Sequence, residues 1–419
     1  MITRKVTPIL ASLFALSLLA FVVVAASVLP AQGQSSRPRR VKPAPSPTPD
    51  SLLGPEPKPS PVANNNAPLL DVKPSKPVGN APASTDTTHA FQLFQQKEYA
   101  GAAKEAKEIA TADPGNAEAW KLAGFSEFYL KQYSEAADDL QKALDLQRRA
   151  DQEDAHTVDA LAQSYTLAEK FDRALPLLVT VTTRKGATPD PQFIYYRGLA
   201  EYKTGKIDDA EKTFNAAAKA NPKDAASLLY LGQIALARKD LDAAIAALNR
   251  ATANDPKLAS AWWLLTSSYL RRATSTNDET KANADYLGAV RTGEALTRLR
   301  SDEEAVGLYA RALIGAQQYP RAATVLEKVA TDSASGITFY LLGLSYSRAN
   351  NFPKAIAALE RAVVKTPNDV NSYRELGYDY EKTKQYAKAF ATYDKALKVA
   401  PDDADFKEAL ERVRPFAKS

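Results

Sequence analysis

Side chains able to do chemistry are few in this chain, and they are scattered. There are two histidines, His89 and His156, far apart in sequence. A zinc or di-iron site needs clustered ligands, which two distant imidazoles do not supply. There is no cysteine. That excludes thiolate nucleophiles, disulfides, cysteine-ligated metals and a lipid-carrying N-terminal cysteine. No glycine-rich phosphate loop of the Walker or dinucleotide type is present, and Gly186 and Gly205 read as turn residues. The acidic pairs Asp208-Asp209, Glu303-Glu304 and Asp402-Asp403 fall at predicted helix starts, where negative charge complements the helix dipole. His156 also falls near a predicted helix start and reads as a solvated helix-end residue. These residues predict no catalytic site, no metal and no cofactor, and the chain reads as a non-enzyme.

What must be positioned, then, is surface. A proline recurs with a period of 34: Pro222 and Pro256, then Pro367 and Pro401. Gly198 and Gly232 share that spacing, as do Gly343 and Gly377, and Ala355 and Ala389. Such a period predicts stacked helical hairpins. Counting 34 positions per unit, a large residue sits at position 4, as in Trp120, Trp262, Phe339 and Tyr373. Position 8 is small, as in Gly124, Gly198, Gly232, Gly343 and Gly377, and position 11 is aromatic in Tyr165, Tyr269, Tyr346 and Tyr380. Spacings of three and four put these on one helix face. Glycine within a helix costs roughly 1 kcal/mol against alanine, so its reuse predicts a neighbouring helix too close for a side chain. The second helix carries alanine at position 20, a large residue at 24 and alanine at 27, the small-against-large pattern of interdigitating helices. The closing proline ends one hairpin and opens the next, and Pro353 fits the first turn of a second helix.

These motifs resemble the tetratricopeptide repeat family. The clearest copy is Tyr373, Leu376, Gly377 and Tyr380, then Ala389, Tyr393, Ala396 and Pro401. The copy before it has Phe339, Leu342, Gly343, Tyr346, Ala355, Leu359, Ala362 and Pro367. The resemblance implies an all-α fold, a right-handed superhelical solenoid of antiparallel helix pairs. About nine units are expected, at 83–116, 117–150, 155–188, 191–224, 225–258, 259–302, 303–335, 336–369 and 370–403. Extra residues are expected around 148–154 and 187–190, and near Arg272 to Asp285, where Thr274 to Asp278 reads as a loop. The stretch 404–419 is expected to form a capping helix, with Ala404, Leu410 and Val413 covering the last unit.

Two segments precede the array. Residues 1–33 carry Arg4 and Lys5, then an apolar run from Ile9 to Leu29 long enough to span a bilayer. It reads as either a cleaved export signal, with Ala31 and Gly33 before Gln34, or a single membrane anchor. The chain is expected to be exported, periplasmic or extracytoplasmic; Arg37, Arg39, Arg40 and Lys42, just past the run, rival Arg4 and Lys5 and leave a second reading in which an anchored array stays in the cytoplasm. Residues 34–82 form a proline-rich spacer expected to be disordered; the stretch 34–87 holds 13 of the 26 prolines. The net charge of +5 falls on these segments, two units on 1–33 and three on 34–87, leaving the repeats neutral. A nucleic-acid binder would place positive charge on its folded part, so nucleic acid is set aside.

In the resembled family the first helices line a concave face through positions 2, 5, 9 and 12. Here the residues implied are Lys121, Phe125 and Phe128, then Tyr195, Leu199 and Tyr202, then Leu229, Leu236, Trp263 and Leu270, and finally Tyr340, Leu344, Arg374 and Tyr378. The partner implied is one or more proteins, offering an extended peptide or an amphipathic helix. Packing of these rings between neighbouring first helices is the competing reading. Family members that grip C-terminal carboxylates use lysine and asparagine at positions 5 and 9. Phe125 after Lys121, and Tyr378 after Arg374, depart from that. The expected function is an exported or membrane-tethered scaffold. The alternatives are a non-catalytic subunit of an envelope enzyme or assembly complex, or a self-associating structural protein.

Overall fold

The computed structural model describes residues 86–186 and 188–417. The Ile9–Leu29 run and the proline-rich spacer lie outside the described residues. Every regular element among the described residues is a helix. Nine consecutive pairs form: α1 (Thr88–Gln95) with α2 (Tyr99–Ala112), α3 (Ala117–Tyr129) with α4 (Tyr133–Arg149), α5 (Ala155–Leu167) with α6 (Phe171–Thr182), and α7 (Pro191–Lys203) with α8 (Ile207–Ala220). Then come α9 (Ala225–Ala237) with α10 (Leu241–Asn254), α11 (Ala259–Ser275) with α12 (Glu279–Leu299), and α13 (Glu303–Gly315) with α14 (Tyr319–Glu327). The last pairs are α15 (Gly336–Arg348) with α16 (Phe352–Lys365) and α17 (Val370–Lys382) with α18 (Tyr386–Val399), followed by α19 (Ala404–Val413). Each helix packs on the next, and each first helix from α3 to α17 also touches the first helix of the neighbouring pair. The core is therefore a string of local clusters, as a solenoid requires.

The proline works through the residue before it. Asp113, Asn221, Asp255, Thr366 and Ala400 each end a second helix with φ between −127° and −133°, the extended conformation a following proline imposes. Their carbonyls accept the N–H three residues on, closing a tight turn. Four of the residues so placed, Asn116, Asp224, Asp369 and Asp403, then cap the next helix through side-chain oxygens. Pro353 sits in the first turn of α16. Within every pair except α11–α12, the reversal uses one left-handed residue. That residue is glycine at Gly205; Lys97, Lys131, Glu169, Lys239, Gln317, Asn350 and Lys384 hold φ between 57° and 66° in the other pairs.

The recurrent helix glycine meets the large residue of its own pair. A methyl on Gly232 would lie 2.6 Å from Leu248 Cγ, one on Gly343 2.5 Å from Leu359 Cγ, and one on Gly198 2.8 Å from the Phe214 ring. Gly377 faces the Tyr393 ring in the same way. First and second helices thus touch backbone to side chain, small position against large.

Two expectations need correction. Arg272 to Asp285 is mostly helix, since α11 continues through Ser275 and α12 resumes at Glu279. The extra residues lengthen both helices, and of the loop expected at Thr274 to Asp278 only Thr276 to Asp278 is non-helical. Arg272 holds them together, donating from Nε and Nη2 to the Asp285 carboxylate at 2.8 and 2.6 Å and from Nη1 to Asp242 at 2.5 Å. In α19 the buried residues are Phe406, Ala409 and Val413, with Leu410 half-buried, whereas Ala404 is exposed. An i, i+3, i+7 stripe therefore carries the contact with α18, shifted from the one expected.

Candidate protein-binding face

The first helices place lining positions 5, 9 and 12 in register along the stack. Their exposure differs from the stripe expected. Phe125, Phe128, Tyr195, Leu229, Leu270, Trp263, Tyr340 and Leu344 are all buried. Because first helices of successive pairs touch, these side chains fill an interior seam. Phe128 meets Tyr129 and Tyr133 edge-on, with ring centroids 6.0 and 5.6 Å apart. Tyr195 lies among Tyr196, Phe214 and Tyr230 at 5.8, 6.2 and 6.3 Å. The Arg300 guanidinium stands 5.3 Å from the Trp263 ring. Burial, then the charges of Glu375 and Asp369, hold the Tyr340 phenol far above its ordinary range. Lys121 is buried too, its ammonium 2.7 Å from Glu118 and 3.4 Å from Asp154.

The reachable lining residues are fewer. Leu199, Tyr202, Gln233, Leu236, Arg374 and Tyr378 are half-buried. Tyr202 leans edge-on against Tyr230 at 5.2 Å. The Lys382 ammonium lies 5.1 Å from the Tyr378 ring. Arg374 pairs with Asp403 at 2.6 Å and Asp405 at 2.9 Å, 4.5 Å above the Phe406 ring. Its charge is engaged by the last turn and helix of the array.

Sequence reasoning missed a set of buried charges along the same helices. Glu127 stands at position 11, where other units carry tyrosine. Burial pushes its carboxyl up to about 7, against the pull of the Lys107 ammonium and with help from the nearby Asp139 carboxylate. Asp379 is pushed up to about 7, again chiefly by burial, although Ser347 Oγ donates to it at 2.6 Å. Beside it Arg348 forks onto Glu375, Nη1 to Oε2 at 2.8 Å and Nη2 to Oε1 at 2.9 Å. Burial opposes the Arg348 charge, but the Glu375 carboxylate more than offsets this and holds the guanidinium above its ordinary value. Arg311 is also buried, at 8% exposure, and burial alone pulls it down to about 10. A signal was available at Glu375, a charged residue at position 6, which carries Leu122, Tyr196, Tyr230, Leu264, Leu308 and Leu341 in other units.

The residues considered for chemistry stay apart. His89 Nδ1 lies 2.7 Å from Glu105 Oε2 on the surface. His156 is exposed near the start of α5, where its backbone N–H donates to the capping Asp154. Among the described residues, no group of three or more His, Asp or Glu is placed to hold a metal ion. Among them, too, no helix is long and apolar enough to cross a membrane.

Two blocks of the chain, residues 195–259 and 340–404, match the family model described as tetratricopeptide repeat. No curated protein matches the chain in sequence. Among solved structures, YrrB, titled a TPR protein with an unusual peptide-binding site, is 18% identical over 48% of this chain and 97% of its own, with a TM-score of 0.40. MamA from Desulfovibrio magneticus RS-1 is 21% identical over 43% of this chain and 97% of its own, at a TM-score of 0.37. A tetratricopeptide repeat protein from Parabacteroides merdae is 13% identical over 61% of this chain and 97% of its own, at a TM-score of 0.37.

Proposed function

This chain is a tetratricopeptide repeat protein, and on that premise we propose that it is a scaffold holding a segment of a partner protein along its first helices. The carrying observation is the row of half-buried residues there, Leu199, Tyr202, Gln233, Leu236 and Tyr378, set on a rigid buried seam. Half-buried aromatic and aliphatic groups on a preorganised support lose little entropy on binding, which favours affinity. The buried residues of the seam, Tyr195, Trp263 and Tyr340 among them, shape this surface by fixing the spacing of the helices that carry it. The apolar run Ile9–Leu29 supports export, with or without retention as a membrane anchor, and the proline-rich spacer would then set the array off from the membrane. N-terminal sequencing of the mature protein decides between cleavage and anchoring.

The binding reading is tested by placing a photo-crosslinking phenylalanine analogue in the full chain at Tyr202 or Tyr378. The control site is Val364 on a second helix, 77% exposed. A discrete protein adduct is expected from the first-helix sites and none from Val364. Adducts from Val364 alone, or none from either first-helix site, would overturn the assignment of the face.

A further inference from the structure

Arg311 lies at lining position 9 of α13, one helical turn after Gly307 at position 5. The neighbouring first helices carry Trp263 and Tyr340 at the equivalent position, so Gly307 is a gap between two large residues. The gap is recessed, since Gly307 itself is buried. It also has room: apart from its own helix backbone, a methyl there would approach nothing closer than Arg311 Nη1, at 3.9 Å. Among the described residues, the guanidinium beside this notch has no carboxylate partner and Arg311 forms no hydrogen bond or ion pair; its Nε is buried without an acceptor. Other arginines of the array are matched: Arg348 by Glu375, Arg374 by Asp403, Arg272 by Asp285 and Arg184 by Asp159.

A buried charge without a counter-charge is costly to the fold. A planar guanidinium is shaped to donate two parallel hydrogen bonds to one carboxylate. We infer that Gly307 and Arg311 form a receptor for one aspartate or glutamate side chain of the bound partner segment, which seats in the notch and pairs with the guanidinium. This rests on the protein-binding reading above, and it names the chemistry that reading leaves open. Desolvation already suffered by Arg311 in the free array makes the pair contribute more to binding than a surface pair would.

Random-peptide display on the full chain tests it, using wild type, Arg311→Met, and Gly307→Leu, which fills the notch and leaves the arginine. Wild type is expected to recover peptides sharing one Asp or Glu. Arg311→Met should bind them at least about 30-fold more weakly. Changing that acid to its amide should weaken binding to wild type and leave binding to Arg311→Met unchanged. Gly307→Leu should weaken binding as well. Peptides with no shared acid, an acid preference that survives in Arg311→Met, or one met by a free C-terminus alone would overturn the receptor and leave the binding face standing. Recovery of no peptide by wild type would overturn the binding face itself.

Discussion

Two first helices of the array, α13 and α17, carry the same kinds of residue to opposite ends. Around α17, a glycine and an arginine pair are closed within the fold: Gly377 is filled by the Tyr393 ring, and Glu375 takes both terminal nitrogens of Arg348. On α13, a methyl on Gly307 would meet only Arg311 Nη1, at 3.9 Å, and among the described residues Arg311 faces no acid. Both regions use the same helix-pair scaffold, although the residues stand at different positions of the repeat: Gly307 and Arg311 at 5 and 9, Gly377 at 8, and Arg348 at the end of α15. The difference teaches that the scaffold alone does not determine which polar groups are structural. A glycine or arginine serves packing where its complement is supplied by the next helix, and it is left for a ligand where that complement is missing.

The largest effect expected from this contrast comes from opening the closed pair. Glu375→Ala leaves the half-buried Arg348 without its carboxylate and should lower stability by about 3 kcal/mol, read as a shift in urea midpoint. An unchanged midpoint would show that the pair adds nothing and would erase the contrast.

Next is the pH dependence of the same region. Asp379 has a folded-state value of about 7 against an ordinary 3.8, so between these pH values the native state keeps a proton that the unfolded chain has released. Stability should therefore fall as pH rises from about 4 to about 7, by on the order of 4 kcal/mol. Glu127, also raised to about 7, adds a slope of the same sign. Asp379→Asn should remove its own share, making urea midpoints at pH 5 and pH 8 more nearly equal. A wild-type stability that rises over this range would contradict the assignment.

The glycines give the smaller effects. Gly377→Ala drives a methyl into the Tyr393 ring and should cost about 1–3 kcal/mol. Gly307→Ala meets no such obstacle and should stabilise by up to about 1 kcal/mol through helix propensity. Thermal melts of the two variants should move in opposite directions.

Much of the scaffold was readable from residue spacing. The repeated glycines did mark a helix too close for a side chain, and the opposing large residue, as in Gly232 with Leu248, lies in the same unit. The prolines did mark the turns, through the conformation they impose on Asn221 or Thr366. Less was readable about the face. Periodicity tells which side of a helix Tyr195 or Tyr340 occupies, but not how near the next pair stands, and that distance decides whether a lining residue is reachable. The loop-like composition of Thr274 and Ser275 was overridden by the Arg272–Asp285 pair, whose partners lie on separate helices. The unmatched state of Arg311 was invisible for the same reason: a missing partner is a fact about neighbouring helices.

The most direct test compares unfolding midpoints of Arg311→Met and Arg348→Met against wild type, with no partner present. If Arg348 is matched by the fold and Arg311 is kept for a ligand, the two substitutions move stability in opposite directions. Arg348→Met should strand Glu375 and lose about 3–5 kcal/mol, whereas Arg311→Met should relieve a buried charge and gain about 1 kcal/mol or more. A loss in both variants would contradict the account, because it would show that Arg311 is already satisfied within the array.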